Sequence, residues 1–179
     1  MEKIRVMIAD DHSLIREGLT QILELESDIQ VIAQASNGRE AVEQAMDLRP
    51  DVILMDVNMP IQNGLSAIKE LRSKGCPSNV IVLTIHEDKE YLLDAINIGA
   101  NGYVMKDAEA DTLIDAIRNV NCGDTYIQPS MASDLIYAID KSPYKSVRKR
   151  FGQKDLTPRE IEVLLLIADG MNNKEIADK

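Results

Sequence analysis

The chain has 179 residues, 45% of them hydrophobic, and a formal net charge of −10. That apolar share excludes wholesale disorder, and no apolar run approaches the ~20 residues of a membrane span. With no Trp and one Phe, aromatic platforms for single-stranded nucleic acid are scarce. Cys76 and Cys122 form neither a CxxC pair nor a disulfide framework, so a reducing, cytoplasmic setting is expected. Charge is unevenly spread: residues 1–119 carry 11 Lys+Arg against 21 Asp+Glu, residues 120–179 nine of each. Phosphate repulsion argues against direct DNA contact by the acidic part. The sequence texture also changes near 120, where a domain boundary is expected.

Five β-α units fill the first part. Ile4–Ala9, Val31–Ala33, Val52–Met55, Val80–Leu83 and Tyr103–Met105 are β-branched or continuously apolar, as strands buried on both faces are. Between them run helical stripes: Leu14, Leu19, Ile22 and Leu23; Ala41, Val42 and Ala45; Leu65, Ile68 and Leu71; Leu92, Leu93, Ala95 and Ile96; Leu113, Ile114, Ala116 and Ile117. Asn37-Gly38, Asn63-Gly64 and Gly99-Ala100-Asn101-Gly102 punctuate the series. The alternation predicts an α/β fold with a doubly wound, five-stranded parallel sheet over 1–120. Residues 121–153 read as a linker with a short helix from Pro129 to Ile139, followed by the basic strip Lys145–Arg150. At 154–179, Thr157 as N-cap, Pro158 at the first helical position and Glu160 open a helix sharply.

In such sheets, sites gather beyond the carboxyl ends of the strands. Asp10 and Asp11 follow the first strand, Asp56 ends the third, Thr84 ends the fourth and Lys106 follows the fifth. Three carboxylates in one small cleft call for a cation, and hard, water-accessible oxygen ligands suit Mg²⁺. Lys106 would bring a fixed positive charge to the same rim. His12 and His86 are not at ligand spacing, and neither is assigned to a metal.

Asp10-Asp11, Met55-Asp56-Val57-Asn58-Met59-Pro60 with Gly64, Thr84, and Gly102-Tyr103-Val104-Met105-Lys106 together resemble the receiver of bacterial two-component response regulators. The resemblance implies a flavodoxin-like fold with Asp56 as phosphoacceptor. It implies Mg²⁺ on Asp11, Asp56 and the Asn58 backbone carbonyl, with Asp10 reaching it through water. Lys106 would pair with the phosphoryl group, Thr84 and Tyr103 would be switching residues, and a sensor histidine kinase would be the donor. Activation is expected to draw Thr84 toward the phosphoryl oxygens, to turn Tyr103 inward and to favour a homodimer. Ile85 and His86 flank the approach to the phosphoryl group and are expected to tune access.

Leu156-Thr157-Pro158-Arg159-Glu160, Ile161–Leu164, Gly170 and Asn173-Lys174-Glu175-Ile176-Ala177 resemble the opening of a LuxR-type helix-turn-helix. Together the two parts resemble the NarL/FixJ class, its DegU-like members most of all. The resemblance reaches Lys179 before the recognition helix, which is absent from this chain. Sequence-specific binding of promoter DNA is therefore expected only with a complete C-terminal domain. Two other functions compete: a receiver acting only through protein contacts, and a Mg²⁺-dependent phosphatase with Asp56 as nucleophile. Phosphatases of the haloacid-dehalogenase type carry a second carboxylate two residues on, where this chain has Asn58.

Overall fold

The computed structural model describes residues 3–85 and 89–131. The expected connector beyond 131, the basic strip Lys145–Arg150, the helix-turn-helix segment 154–179 and His86 lie outside the described residues.

Six parallel strands form one sheet: β1 (Ile4–Ala9), β2 (Ile29–Ala35), β3 (Val52–Asp56), β4 (Asn79–Thr84), β5 (Gly102–Met105) and β6 (Tyr126–Ile127), in the order β2-β1-β3-β4-β5-β6. Five helices connect them: α1 (Ser13–Glu24), α2 (Gly38–Leu48), α3 (Gly64–Ser73), α4 (Lys89–Ile98) and α5 (Ala110–Asn121). The expected flavodoxin-like, doubly wound sheet is present, with one strand more than expected. Tyr126 and Ile127 follow the α5 C-terminus and pair with Gly102 and Tyr103. A two-residue strand is too short to show the alternation by which strands are recognised in sequence. With β6 the compact unit runs Met1–Gln128; Pro129–Lys179 forms a second unit.

Central strands are buried along their length, β3 completely, which explains their unbroken apolar runs. β2 lies at the sheet edge and exposes Gln30 and Gln34, so only its middle, Val31–Ala33, stood out in the sequence. Residues of α1 and α5 share one core with Val6, Ile8, Val52, Leu54, Ile81, Leu83 and Val104, while α2 packs on α3 and α3 on α4. Leu14 and Ile22 depart from the expected core face of α1, being 80% and 37% exposed. The covered stripe runs instead through Leu19 and Leu23, one turn apart, which leaves Ile22 on its flank and Leu14 on the far side of the helix.

The sheet changes winding direction between β1 and β3, the topological switch point where α/β sheets place their ligands. Pairing of Ala9 with Met55 carries on by one residue to set Asp10 level with Asp56. Pairing of Thr84 with Met105 sets Lys106 just beyond, its N–H donating 2.7 Å to the Thr84 carbonyl.

Candidate functional site: an acidic cleft closed by a lysine

The cleft is built from strand ends. Asp10 is fully buried and Asp56 is 3% exposed. Lys106 reaches both, with Nζ 2.7 Å from Asp10 Oδ2 and 2.9 Å from Asp56 Oδ2. Burial lifts the Asp56 carboxyl above the ordinary aspartate range; hydrogen bonding and charge from Lys106 pull it back, Asp10 pushes it up, and the Asn58 backbone N–H holds it down. Burial also works against the Lys106 ammonium, but the Asp10 and Asp56 carboxylates outweigh it and raise its pKa above that of a free lysine.

The local sequence holds this geometry firmly. The Asp10 backbone carbonyl accepts from Arg16 Nη1 at 2.7 Å, and its Oδ1 accepts from the His12 N–H at 2.8 Å. Past Asp56, Gly64 N–H donates 2.9 Å to the Val57 carbonyl, and a Cβ on Gly64 would collide with the Asp56 carbonyl oxygen. Only glycine lets α3 start so close to the Asp56 backbone. In the same loop Gly38 N–H donates 3.0 Å to the Gln62 carbonyl. Ile61 has φ 67°, a left-handed backbone costly for a β-branched side chain.

Most of the residues predicted for the site meet there. Asp10, Asp11 and Asp56 bring ligand oxygens within 4.8 Å of one another, Lys106 sits against two of them, and Thr84 is buried at the end of β4. Asn58 is exposed beside Asp56. Ile85 is 66% exposed immediately after Thr84. Tyr103 is buried, 1% exposed, in a crevice with Ala95, Ile96 and Ile127.

Sequence reasoning missed three contributors. His12 stands in the cleft, Nδ1 2.6 Å from Asp11 Oδ1 and 3.2 Å from Asp10 Oδ1, although no second histidine at ligand spacing pointed to it. Arg16, to which no motif pointed, holds the Asp10 carbonyl. Gln128 follows β6, the strand that had no sequence signature.

A buried carboxylate, two further acids and a lysine at the switch point of a flavodoxin-like sheet are the arrangement of a response-regulator receiver. The chain belongs to the response-regulator family: residues 6–118 match the response regulator receiver domain, and residues 154–179 match bacterial regulatory proteins of the luxR family. It is 38% identical to the transcriptional regulatory protein LnrK of Bacillus subtilis, over 98% of this chain and 82% of that protein. Identity is also 38% to DegU of Brevibacillus brevis, over 98% and 79%. A LuxR-family response regulator from Aurantimonas superposes with a TM-score of 0.74 at 27% identity, covering 78% of this chain and 100% of the other. The receiver of a putative NarL from Mycobacterium tuberculosis superposes at 0.67 with 32% identity, covering 69% and 99%. The chain is thus a two-component response regulator that pairs a receiver with a LuxR-type region. Among the described residues no helix is long and apolar enough to cross a membrane.

Proposed function

We propose that Asp56 is the phosphoacceptor, that Mg²⁺ is its cofactor, and that phosphorylation by a sensor histidine kinase governs promoter binding in a form with a complete C-terminal LuxR-type domain. The observation that carries this reading is Lys106 Nζ bridging Asp10 and Asp56 in a cleft where Asp11 adds a third, exposed carboxylate. The donors are hard oxygens open to water on one side, the set that suits Mg²⁺. Asp11, Asp56 and the Asn58 carbonyl would hold the ion, with Asp10 contributing through water. When bound, Mg²⁺ neutralises charge on the phosphoryl oxygens.

The chain's own groups do the rest. A carboxylate oxygen of Asp56 forms the new bond to phosphorus as the bond from phosphorus to the donor's nitrogen or oxygen breaks; the leaving group keeps that electron pair, and an acyl phosphate results. Burial keeps water from competing with Asp56 for the phosphorus. Lys106 moves its charge from the two carboxylates to the incoming phosphoryl group. Thr84, at the end of the next strand, offers the hydroxyl that a switch requires. Ile85, exposed directly after Thr84, and the next residue, His86, would set how readily water reaches the acyl phosphate.

The regulatory role places the chain among transcription regulators rather than enzymes acting on external substrates. The proposed organisation is a receiver through Gln128, where the first compact unit ends and not near residue 120, then a connector through 153 and the N-terminal part of a LuxR-type helix-turn-helix from 154, with receivers pairing as a homodimer on activation in the cytoplasm. Incubation with acetyl phosphate and Mg²⁺ tests the reading. One phosphoryl group is expected on the wild-type chain and none on Asp56→Asn; undiminished uptake by the variant would remove Asp56 from its role.

A further inference from the structure

β5 stands between β4 and β6, and alternate peptide groups point to each neighbour. On the β4 side, Lys106 N–H donates to the Thr84 carbonyl at 2.7 Å. On the other side β6 pairs only with Gly102 and Tyr103, so the ladder ends before it reaches Met105. There Gln128 takes over with two bonds. Its N–H donates 3.1 Å to the Tyr103 carbonyl, and its side-chain Oε1 accepts from the Met105 N–H at 2.8 Å. A side-chain amide thus completes the ladder at the residue directly before Lys106. Met105 is 8% exposed, so water is a poor substitute for that acceptor.

Gln128 is also the last residue of the first compact unit. The chain therefore leaves the receiver from a residue hydrogen-bonded to the strand whose next position carries the lysine of the cleft. Pro129 follows and disfavours helical backbone at Gln128, in keeping with its strand-like pairing.

We propose that Gln128 is a positioning residue for phosphoryl transfer: it fixes the end of β5, and with it Lys106, against the acid cleft, and so ties the exit of the receiver to the state of Asp56. The proposal rests on the phosphoacceptor reading given above. With Met105 held on one side by Gln128 and Lys106 held on the other by Thr84, a displacement of Lys106 toward a phosphoryl group strains the Met105–Gln128 bond. Loosening that bond shifts the segment that leads to the LuxR-type region.

The test uses the full chain as wild type, Gln128→Met, which keeps length but has no oxygen acceptor, and Gln128→Glu, which keeps the acceptor. Exchange of the Met105 amide and the rate of phosphoryl uptake from acetyl phosphate over a range of Mg²⁺ are measured for each. The Met variant is expected to exchange Met105 about tenfold faster, since its local protection is gone. Its maximal uptake rate is expected to fall about tenfold from misplacement of Lys106, with the half-saturating Mg²⁺ unchanged. Gln128→Glu is expected to recover both properties. In the wild type, phosphorylation is expected to speed Met105 exchange. Faster exchange in Gln128→Met with an unaltered uptake rate would reduce the bond to a structural one and overturn the proposal, as would unaltered exchange. A wild type that takes up no phosphoryl group at Asp56 would overturn the functional reading itself; normal wild-type uptake matched by the Met variant would overturn only the role of Gln128.

Discussion

The two ends of the sheet each hold a partly buried cation, and they treat it in opposite ways. At the amino ends of the strands, Arg72 donates to neutral acceptors: the Gly99, Cys76 and Ser78 carbonyls and Asn101 Oδ1, at 2.8 to 3.1 Å. Arg5 likewise donates to the Leu48 and Arg49 carbonyls that end α2, where the helix dipole favours a cation. At the carboxyl ends, Lys106 faces two carboxylates with almost no exposure, and a third carboxylate lies close by. Neutral acceptors arranged by the backbone make a fixed joint. Charges crowded together make a site whose balance changes when a cation or a phosphoryl group arrives. The amino end therefore serves the scaffold, and the proposed chemistry falls to the carboxyl end.

That contrast can be broken first at Lys106. Lys106→Ala strands two buried carboxylates and is expected to cost about 4 kcal/mol in chelator. Added Mg²⁺ should recover much of the loss, as denaturation with and without the ion would show. Because burial raises the Asp56 carboxyl above its unfolded value, its contribution is full at acid pH and is lost as pH rises through the raised value. The variant should therefore be closer to wild type near pH 4 than at pH 7. In the wild type, the raised Lys106 contributes at all pH below its ordinary value of 10.5 and loses that contribution only as pH rises beyond it.

Gly64→Ala attacks the same end sterically. Its Cβ must push the Asp56 backbone aside, at about 3 kcal/mol, and Mg²⁺ should not rescue it. At the opposite end, Arg72→Ala leaves several acceptors unpaired and should cost about 2 kcal/mol, with phosphoryl uptake by the folded protein unchanged. A Mg²⁺-dependent loss on removing Arg72 would erase the distinction between the two ends. The smallest effect is expected at Arg118, which pairs with Glu26 and Asp28 at a largely open surface. The Arg118 guanidinium holds Asp28 below its ordinary value, so the pair contributes above about pH 4 and fades as pH falls through the lowered value. Arg118→Ala should cost about 0.5 kcal/mol at neutral pH, less in high salt, and flatten the acid limb of the stability profile.

The different fates of these residues explain what could be read in advance. Asp10, Asp56, Thr84 and Lys106 were legible because each stands at the end of a buried apolar run, and parallel strands bring such ends together. The central strands were legible for the same reason, their solvent-free faces leaving no polar residue to interrupt them. Leu14 and Ile22 misled because hydrophobicity marks a helix without fixing which side of a broad stripe is covered. Arg72 was silent, since its partners are mostly backbone carbonyls, and carbonyls have no sequence signature. Gln128 and β6 were silent for a related reason: two residues show no period, and a glutamine completing a ladder looks like any surface glutamine.

The most direct test of the central claim locates the phosphoryl group chemically. The full chain, phosphorylated from acetyl phosphate with Mg²⁺, is reduced with borohydride, which converts an aspartyl phosphate to homoserine, and its peptides are sequenced by mass spectrometry. Homoserine at position 56, absent without Mg²⁺, is the predicted result. Homoserine at Asp10 or Asp11 instead, or uptake indifferent to Mg²⁺, would contradict the account of the cleft.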